Sequence, residues 1–301
     1  MPQPSSWFSS PDDAATRLSA SGYLADTATA TTAYLAGALE KPLLVEGPAG
    51  VGKTELAKAV ARVTDAELIR LQCYEGLDEA RALYEWNYKK QLLFIQAATV
   101  SREATATTGL PQSVQDWESG IFTEEFLLTR PLLTAIRRDQ PTVLLVDEVD
   151  KTDVEVEGLL LEVLSDFQVT IPELGTVSAV RRPFVVLTSN ASRELSEAVK
   201  RRCLYLHLDY PDAEREREIV TSQVPDLEER VAGRLVETIG RLRDLELKKA
   251  PSIAESVDWA RTLVALEIGE LDEKAIADTL GVVLKHSSDQ EKAVKELRLR
   301  S

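Results

Sequence analysis

"GPAGVGKT", residues 47–54, follows the apolar run "LLVE" and leads directly into "ELAKAVARV". Glycines at 47, 50 and 52 let the backbone curl until its N–H groups surround a polyphosphate, and the positive end of the following helix adds to them. Lys53 supplies a mobile positive charge for the terminal phosphates, and the Thr54 hydroxyl supplies an oxygen ligand for magnesium (Mg2+). The nucleotide-contacting set is thus Gly47, Pro48, Ala49, Gly50, Val51, Gly52, Lys53 and Thr54, closed by the residue at 55, Glu55. The alternative is a strand-to-helix turn without a ligand, and the strand before the loop and the helix after it favour phosphate.

Working outward, short Val/Ile/Leu runs recur between helical stretches: "LLVEG", "ELIRLQ", "TVLLVDE", "FVVLTSN" and "CLYLHLD". Runs of this composition bounded by turn or charged residues predict parallel strands buried on both faces, with helices covering them. After Tyr210 the strand signals stop. Leu227, Val231, Leu235, Ile239 and Leu242 recur at spacings of three and four, as do Ile253, Val257, Ala260 and Val264, which predicts helices alone. The expected organisation is an α/β domain over residues 1–210, opened by a loose Ser/Pro/Ala-rich arm at 1–21, and a small all-α domain over 211–301.

A nucleotide triphosphatase also needs a carboxylate near its metal and a group to activate water. "TVLLVDEVD" offers both at a strand end: Asp147 for the metal, directly or through water, and Glu148 as base or orienting group. The same pair also suits the cap of the next helix. Asn190 ends "FVVLTSN", where it can reach the attacking water or a phosphate, or serve as an ordinary turn asparagine. Arg201 and Arg202 close a helix before the last strand. Their charge either complements the helix dipole or reaches a neighbouring subunit's phosphate.

The chain holds 35 basic and 50 acidic residues, a net charge of −15, so its average field repels phosphate backbones and argues against general nucleic-acid binding. No apolar stretch approaches the roughly 20 residues of a bilayer span, and "MPQPSSWFSSPDD" has no basic start followed by an apolar run. The expectation is a cytoplasmic protein without membrane insertion. Cys73 and Cys203 sit in apolar segments without the spacing of a metal site and are expected to be two buried thiols.

Taken in order, the glycine loop, acidic strand end, polar strand end, arginines and helical domain resemble the AAA+ ATPases along nearly the whole chain. The resemblance implies a P-loop αβα sandwich with a five-stranded parallel sheet and a helical lid. It makes Gly47–Thr54 the Walker A loop, Val143–Glu148 the Walker B strand, Asn190 the sensor-one residue and Arg202 the arginine finger, with ATP and Mg2+ as cofactors. Lys53 and Asp147 lie roughly thirty residues further apart than the about 60 that two crossovers need. "FQVTIPELGTVSAVRRP" predicts a hairpin with Gly175 in its turn, just before the "FVVLTSN" strand. A helix-two insertion plus a pre-sensor hairpin resembles the MoxR group, and "LYEWNYKKQLL" and "PSIAESVDWARTL" resemble its CoxD-type members. That implies a ring, six subunits being the family expectation, a von Willebrand factor A domain partner and a metalloenzyme client. The lid departs from the group. Where a Ser-x-Arg motif is expected there are Ser252, Ile253 and Ala254, and Arg261 is not assigned its role.

"ALYEWNYKKQLLF", residues 82–94, lies in the insertion. Read as one helix, it lines Tyr84, Tyr88, Leu92 and Ile95 on one side and Leu83, Trp86, Leu93 and Ala97 on another. Two apolar sides predict packing, as extra core or against another protein, and not base stacking in a basic groove.

Overall fold

The computed structural model describes residues 7–104 and 120–299. In chain order the strands are β1 (Leu43–Glu46), β2 (Glu67–Gln72), β3 (Tyr84–Trp86), β4 (Leu127–Thr129), β5 (Thr142–Asp147), β6 (Gln168–Ile171), β7 (Gly175–Ser178), β8 (Phe184–Ser189) and β9 (Leu204–His207). The first helices are α1 (Pro11–Ala20), α2 (Thr27–Ala38), α3 (Lys53–Thr64), α4 (Glu79–Ala82) and α5 (Tyr88–Ala104). Five strands form one sheet in the order β2-β5-β8-β1-β9. β5 pairs in parallel with β2 on one side and with β8 on the other. Leu204 and Leu208 donate to the carbonyls of Pro42 and Glu46 at the same offset, so β9 also runs parallel to β1.

This is the expected P-loop α/β arrangement, with one correction. β5 and β8 are buried at every position, as inner strands covered on both faces must be. The outermost strands β2 and β9 instead alternate, with Glu67, Arg70, Tyr205 and His207 exposed, as successive side chains on opposite faces do when one face meets water.

By internal packing the chain forms two compact units, one of Met1–Trp7, Leu35–Leu44 and Thr64–Tyr205, the other of Phe8–Tyr34, Val45–Val63 and Leu206–Ser301. The first has its core between the sheet and the helices Pro131–Arg137 and Val154–Asp166, with Leu132, Ile136, Leu144, Val146, Leu160 and Leu187 at its centre. The predicted hairpin is present. β6 and β7 pair antiparallel from Gln168↔Ser178 to Ile171↔Gly175, and Gly175 takes the left-handed φ of 83° at the turn exit. The insertion holds a second antiparallel pair, Tyr84↔Thr129 to Trp86↔Leu127, with α5 between its strands in sequence.

The aromatic stretch is therefore not one helix: α4, β3 and the start of α5 share it. Trp86 is buried against Phe122, rings 5.1 Å apart, and is core as one reading had it. Tyr88, Leu92 and Leu93 of α5 are exposed, so the helix does not bury two faces among the described residues. The N-terminal arm also differs. Its first six residues lie outside the described ones, but Trp7 is buried edge-on to Phe184 at 5.4 Å. α1 is capped by Ser10, whose hydroxyl accepts from the Asp13 amide at 3.1 Å, so residues 7–20 are docked and not loose.

The second unit buries Val231, Leu235, Ile239 and Leu242 of the helix Glu229–Arg243, the face that the spacing indicates, together with Val257, Trp259, Ala260 and Leu263 of the helix Ile253–Ala265. In the latter, Val257 and Ala260 were expected, Trp259 and Leu263 were not, and Ile253 and Val264 are only partly buried. A buried ion pair ties these helices to the helix Ala213–Gln223. The Arg243 guanidinium donates to both Glu216 oxygens at 2.6 and 2.8 Å, and Ser256 donates to the same carboxylate at 2.6 Å. Among the described residues no helix is long and apolar enough to cross a membrane.

Candidate functional site

β1 delivers the chain to Gly47 and α3 begins at Lys53, so the loop has the strand–turn–helix context that phosphate binding needs. Its glycines are dictated by contact. A side chain on Gly47 would run into the Leu208 carbonyl, and one on Gly50, at φ 77°, into the side chain of Ser252. The Lys53 Nζ donates to the Gly47 and Pro48 carbonyls, both at 2.6 Å, so the ammonium lies buried within its own loop. The Tyr210 hydroxyl donates to the Ala49 carbonyl at 3.5 Å, and Arg243 stacks over the Tyr210 ring at 4.6 Å. Glu55, placed with the loop by sequence, turns along α3 to Arg62 at 2.7 Å and Lys58 at 3.4 Å.

Ser252, Ile253 and Ala254 open the helix Ile253–Ala265 with a capping box, the Glu255 carboxylate accepting from the Ser252 amide at 3.0 Å and from its hydroxyl. Burial pushes the Glu255 carboxyl up, but hydrogen bonds from Ser252 and Lys249 outweigh it and hold the group below the usual carboxylate range. Arg261 is exposed and pairs with Asp258 at 3.4 Å on its own helix.

In the other unit, Asp147 closes β5 as a buried carboxylate. Its Oδ1 accepts from the Thr188 hydroxyl and its Oδ2 from Arg70, each at 2.5 Å. Glu148 follows in the left-handed region at φ 58° and ψ 48°, a conformation costing a non-glycine residue about 1–2 kcal/mol. Its amide donates to the Thr188 hydroxyl oxygen at 2.8 Å, so one threonine holds both acidic residues. The Glu148 carboxylate accepts from Lys151 at 2.6 Å, from Gln72 at 2.9 Å and from the Asn190 amide at 3.5 Å. The hydrogen bond to Glu148 raises the Lys151 ammonium above its ordinary value. Glu148 shares this left-handed backbone with Glu40, Asp65 and Glu267, but here the side chain and amide are both held by neighbours, the over-determination found at functional positions.

The segment after Asn190 is stapled to the turn after Glu148. Asp150 accepts from the Ser192 amide at 2.9 Å and hydroxyl at 2.6 Å, and buried Glu157 accepts from the Ser196 amide at 2.9 Å. Arg193 pairs with Glu157 at 2.5 Å and donates to the Thr152 carbonyl at 2.8 Å. Arg201 and Arg202 end the helix Glu197–Arg202 on the surface, with Arg202 donating to the Ala198 carbonyl at 3.0 Å and to the Ser165 hydroxyl. Cys73 is buried and Cys203 only partly so, which corrects the expectation of a buried thiol at Cys203. Burial pushes both thiols up to about 12, so neither is a ready nucleophile.

Each unit thus assembles its own part of the predicted constellation, the loop with Lys53 in one and Asp147, Glu148 and Asn190 in the other. Sequence reasoning missed Arg70, Gln72, Lys151 and Thr188. The signal for the first two was period-two polarity in "ELIRLQ", which puts Arg70 and Gln72 on one side of β2 while Ile69 and Leu71 enter the core. The oxygens of Thr54 and Asp147 are the hard donors that magnesium prefers, and the glycine-walled loop suits a polyphosphate.

The AAA domain of the dynein-related subfamily matches residues 42–203, more than half of the chain, and the protein belongs to this family. Chaperone protein ClpB of Pseudomonas putida is 28% identical over 233 residues, covering 73% of this chain and 23% of that protein. ClpB of Corynebacterium glutamicum is 29% identical over 248 residues, covering 78% and 25%. Chloroplastic ClpC of Pisum sativum is 29% identical over 183 residues, covering 61% and 17%. The chain therefore spans a quarter or less of these relatives. A solved RuvB mutant from Thermotoga maritima shares 16% identity over 99% of this chain and 74% of that one, at a TM-score of 0.47. At that value the fold assignment rests on the strand order itself.

Proposed function

We propose that the protein is a magnesium-dependent ATPase. The observation that carries this reading is the buried Lys53 ammonium inside a loop whose Gly47 and Gly50 admit no side chain. Lys53 and the loop amides bind the phosphates, Thr54 and Asp147 hold the metal, and Asn190 orients the attacking water. Glu148 accepts that water's proton as its oxygen bonds to the γ-phosphorus and the bond to ADP breaks. Residues 1–210 serve as the nucleotide-binding domain and 211–301 as the lid.

The finer reading is a MoxR-type chaperone, closest to CoxD-like members, that turns hydrolysis into remodelling of a protein client. It works as a homo-oligomeric ring, six-membered by family expectation, in the cytoplasm. A von Willebrand factor A domain protein is its partner and a metalloenzyme its client. The insertion, the pre-sensor hairpin and the likeness to ClpB chaperones support this. Arg202 acts on the neighbouring subunit's γ-phosphate, a charge contribution of roughly 10³ to 10⁵ in rate. Its surface position at a helix end supports that role. A nucleic-acid motor is the second reading, disfavoured by the net charge of −15.

Phosphate release and nucleotide binding test the assignment together. Lys53→Ala loses binding, Glu148→Gln binds ATP without turnover, and Arg202→Ala binds normally but hydrolyses poorly. Wild-type hydrolysis by Arg202→Ala removes the shared-site reading, and stimulation by DNA at low salt favours the motor. A pull-down with Glu148→Gln held in ATP identifies partner and client.

A further inference from the structure

The Arg70 guanidinium pairs with Asp147 at this acidic strand end, at 2.5 Å to Oδ2. It stands on the edge strand β2, with half of its side chain in water (49% exposed), whereas Asp147 is 3% exposed. The other carboxylate oxygen is already engaged by Thr188. The same guanidinium donates to the Gln72 side-chain oxygen Oε1, and the Gln72 Nε2 donates to Glu148 at 2.9 Å. Register fixes the arrangement: Gln72 lies opposite Asp147 and Arg70 two residues back, so both polar side chains emerge beside the strand end that carries the acids.

We propose that Arg70 competes with the divalent cation for Asp147 and so weakens metal-dependent nucleotide binding. This rests on the reading of Asp147 as a magnesium ligand. A guanidinium hydrogen-bonded to a carboxylate oxygen places positive charge where a dication must approach, so the cation binds only as Arg70 swings away. Its half-exposed stem and single-strand anchorage permit that swing, which buried Thr188 could not make. Moving Arg70 also withdraws the donor that positions Gln72, so arrival of the metal at Asp147 loosens one of the three holds on Glu148. Arg70 is in these terms a positioning residue that links metal binding to the release of the catalytic carboxylate.

The test compares the affinity of a fluorescent ADP analogue with magnesium and with chelator, in the full chain, and takes the ratio of the two as the metal-dependent gain. Arg70→Ala should enlarge that gain about fivefold, the size of a half-exposed ion pair. Arg70→Gln should shift it in the same direction, and serves if the alanine variant does not fold. An unchanged or smaller gain in a folded Arg70 variant overturns the proposal. Asp147→Asn separates the two levels. If it abolishes the gain while the Arg70 variants leave the gain unchanged, only the competition fails. If the gain survives Asp147→Asn, the metal assignment fails and the proposal with it.

Discussion

Replacing Thr188 by valine keeps the β-branched shape and removes one buried oxygen, so the effect isolates two hydrogen bonds. The hydroxyl donates to the Asp147 carboxylate at 2.5 Å and accepts from the Glu148 amide at 2.8 Å, in a side chain that is 1% exposed. A bond to a charged group contributes about 1.5–3 kcal/mol and a neutral one about 0.5–1.5 kcal/mol, so the loss should total about 2–4 kcal/mol. Part of that falls on Glu148, whose left-handed backbone loses the acceptor that holds its N–H. Urea unfolding gives the global figure, and hydrogen exchange at the Glu148 amide gives the local one, with protection expected to drop at least tenfold. Thr188→Ser, which keeps the hydroxyl, should retain most of that protection. The reasoning fails if Thr188→Val stays within about 0.5 kcal/mol of wild type with its Glu148 amide still protected, or if serine is as damaging as valine.

Gly50→Ala must place a Cβ against Ser252 at a φ of 77°, so it should weaken nucleotide binding by about tenfold or more, measured by fluorescent ATP titration. Adding Ser252→Gly should recover part of the loss, because it removes the collision and leaves the backbone strain. Burial pushes Glu157 up, but the hydrogen bonds from Ser196 and Arg193 prevail and hold the carboxyl below its ordinary value of 4.5. Its contribution to stability is therefore complete above that value and lost as pH falls through the lower folded-state value, so Glu157→Gln should lower neutral-pH stability and flatten the acid limb of a denaturation profile. Trp86→Ala should cost about 3–5 kcal/mol in urea unfolding, whereas Leu93→Ser on exposed α5 should stay within about 0.5 kcal/mol.

Much of this was legible because inner parallel strands are written as unbroken Val/Ile/Leu runs. β5 and β8 are such runs, and the glycine loop between β1 and α3 announces itself by residue type and spacing. The helices of the second unit were legible for the complementary reason, a three-and-four periodicity that one buried face imposes. Apart from Lys151, three residues from Glu148, what escaped depends on a partner distant in sequence. Thr188 reads as an ordinary strand residue until β8 is laid beside β5 and its hydroxyl meets Asp147 and the Glu148 amide. Arg70 and Gln72 read as edge-strand solubilisers until the β2–β5 register sets Gln72 opposite Asp147. Trp7 and Phe8 looked like part of a polar arm because two aromatics among serines carry no period, yet Phe184 and Gly37 make a site for Trp7.

The aromatic stretch shows the same limit from the opposite side. Residues 82–94 contain enough apolar side chains to satisfy a helix on two faces, and periodicity alone cannot tell a face that is buried from one that is merely apolar. Three of these residues pair as β3 with β4, more than forty positions away, and that pairing withdraws Trp86 into the core while Tyr88, Leu92 and Leu93 stay exposed on the helix that follows. Phe94 stays partly exposed although its ring meets Phe126 at 5.5 Å. A strand of three residues has too few alternations to register as a period, and its ladder partner β4 comes from the far end of the same insertion. Local pattern identified α5 because a helix satisfies its own backbone, and it missed β3 because a strand cannot.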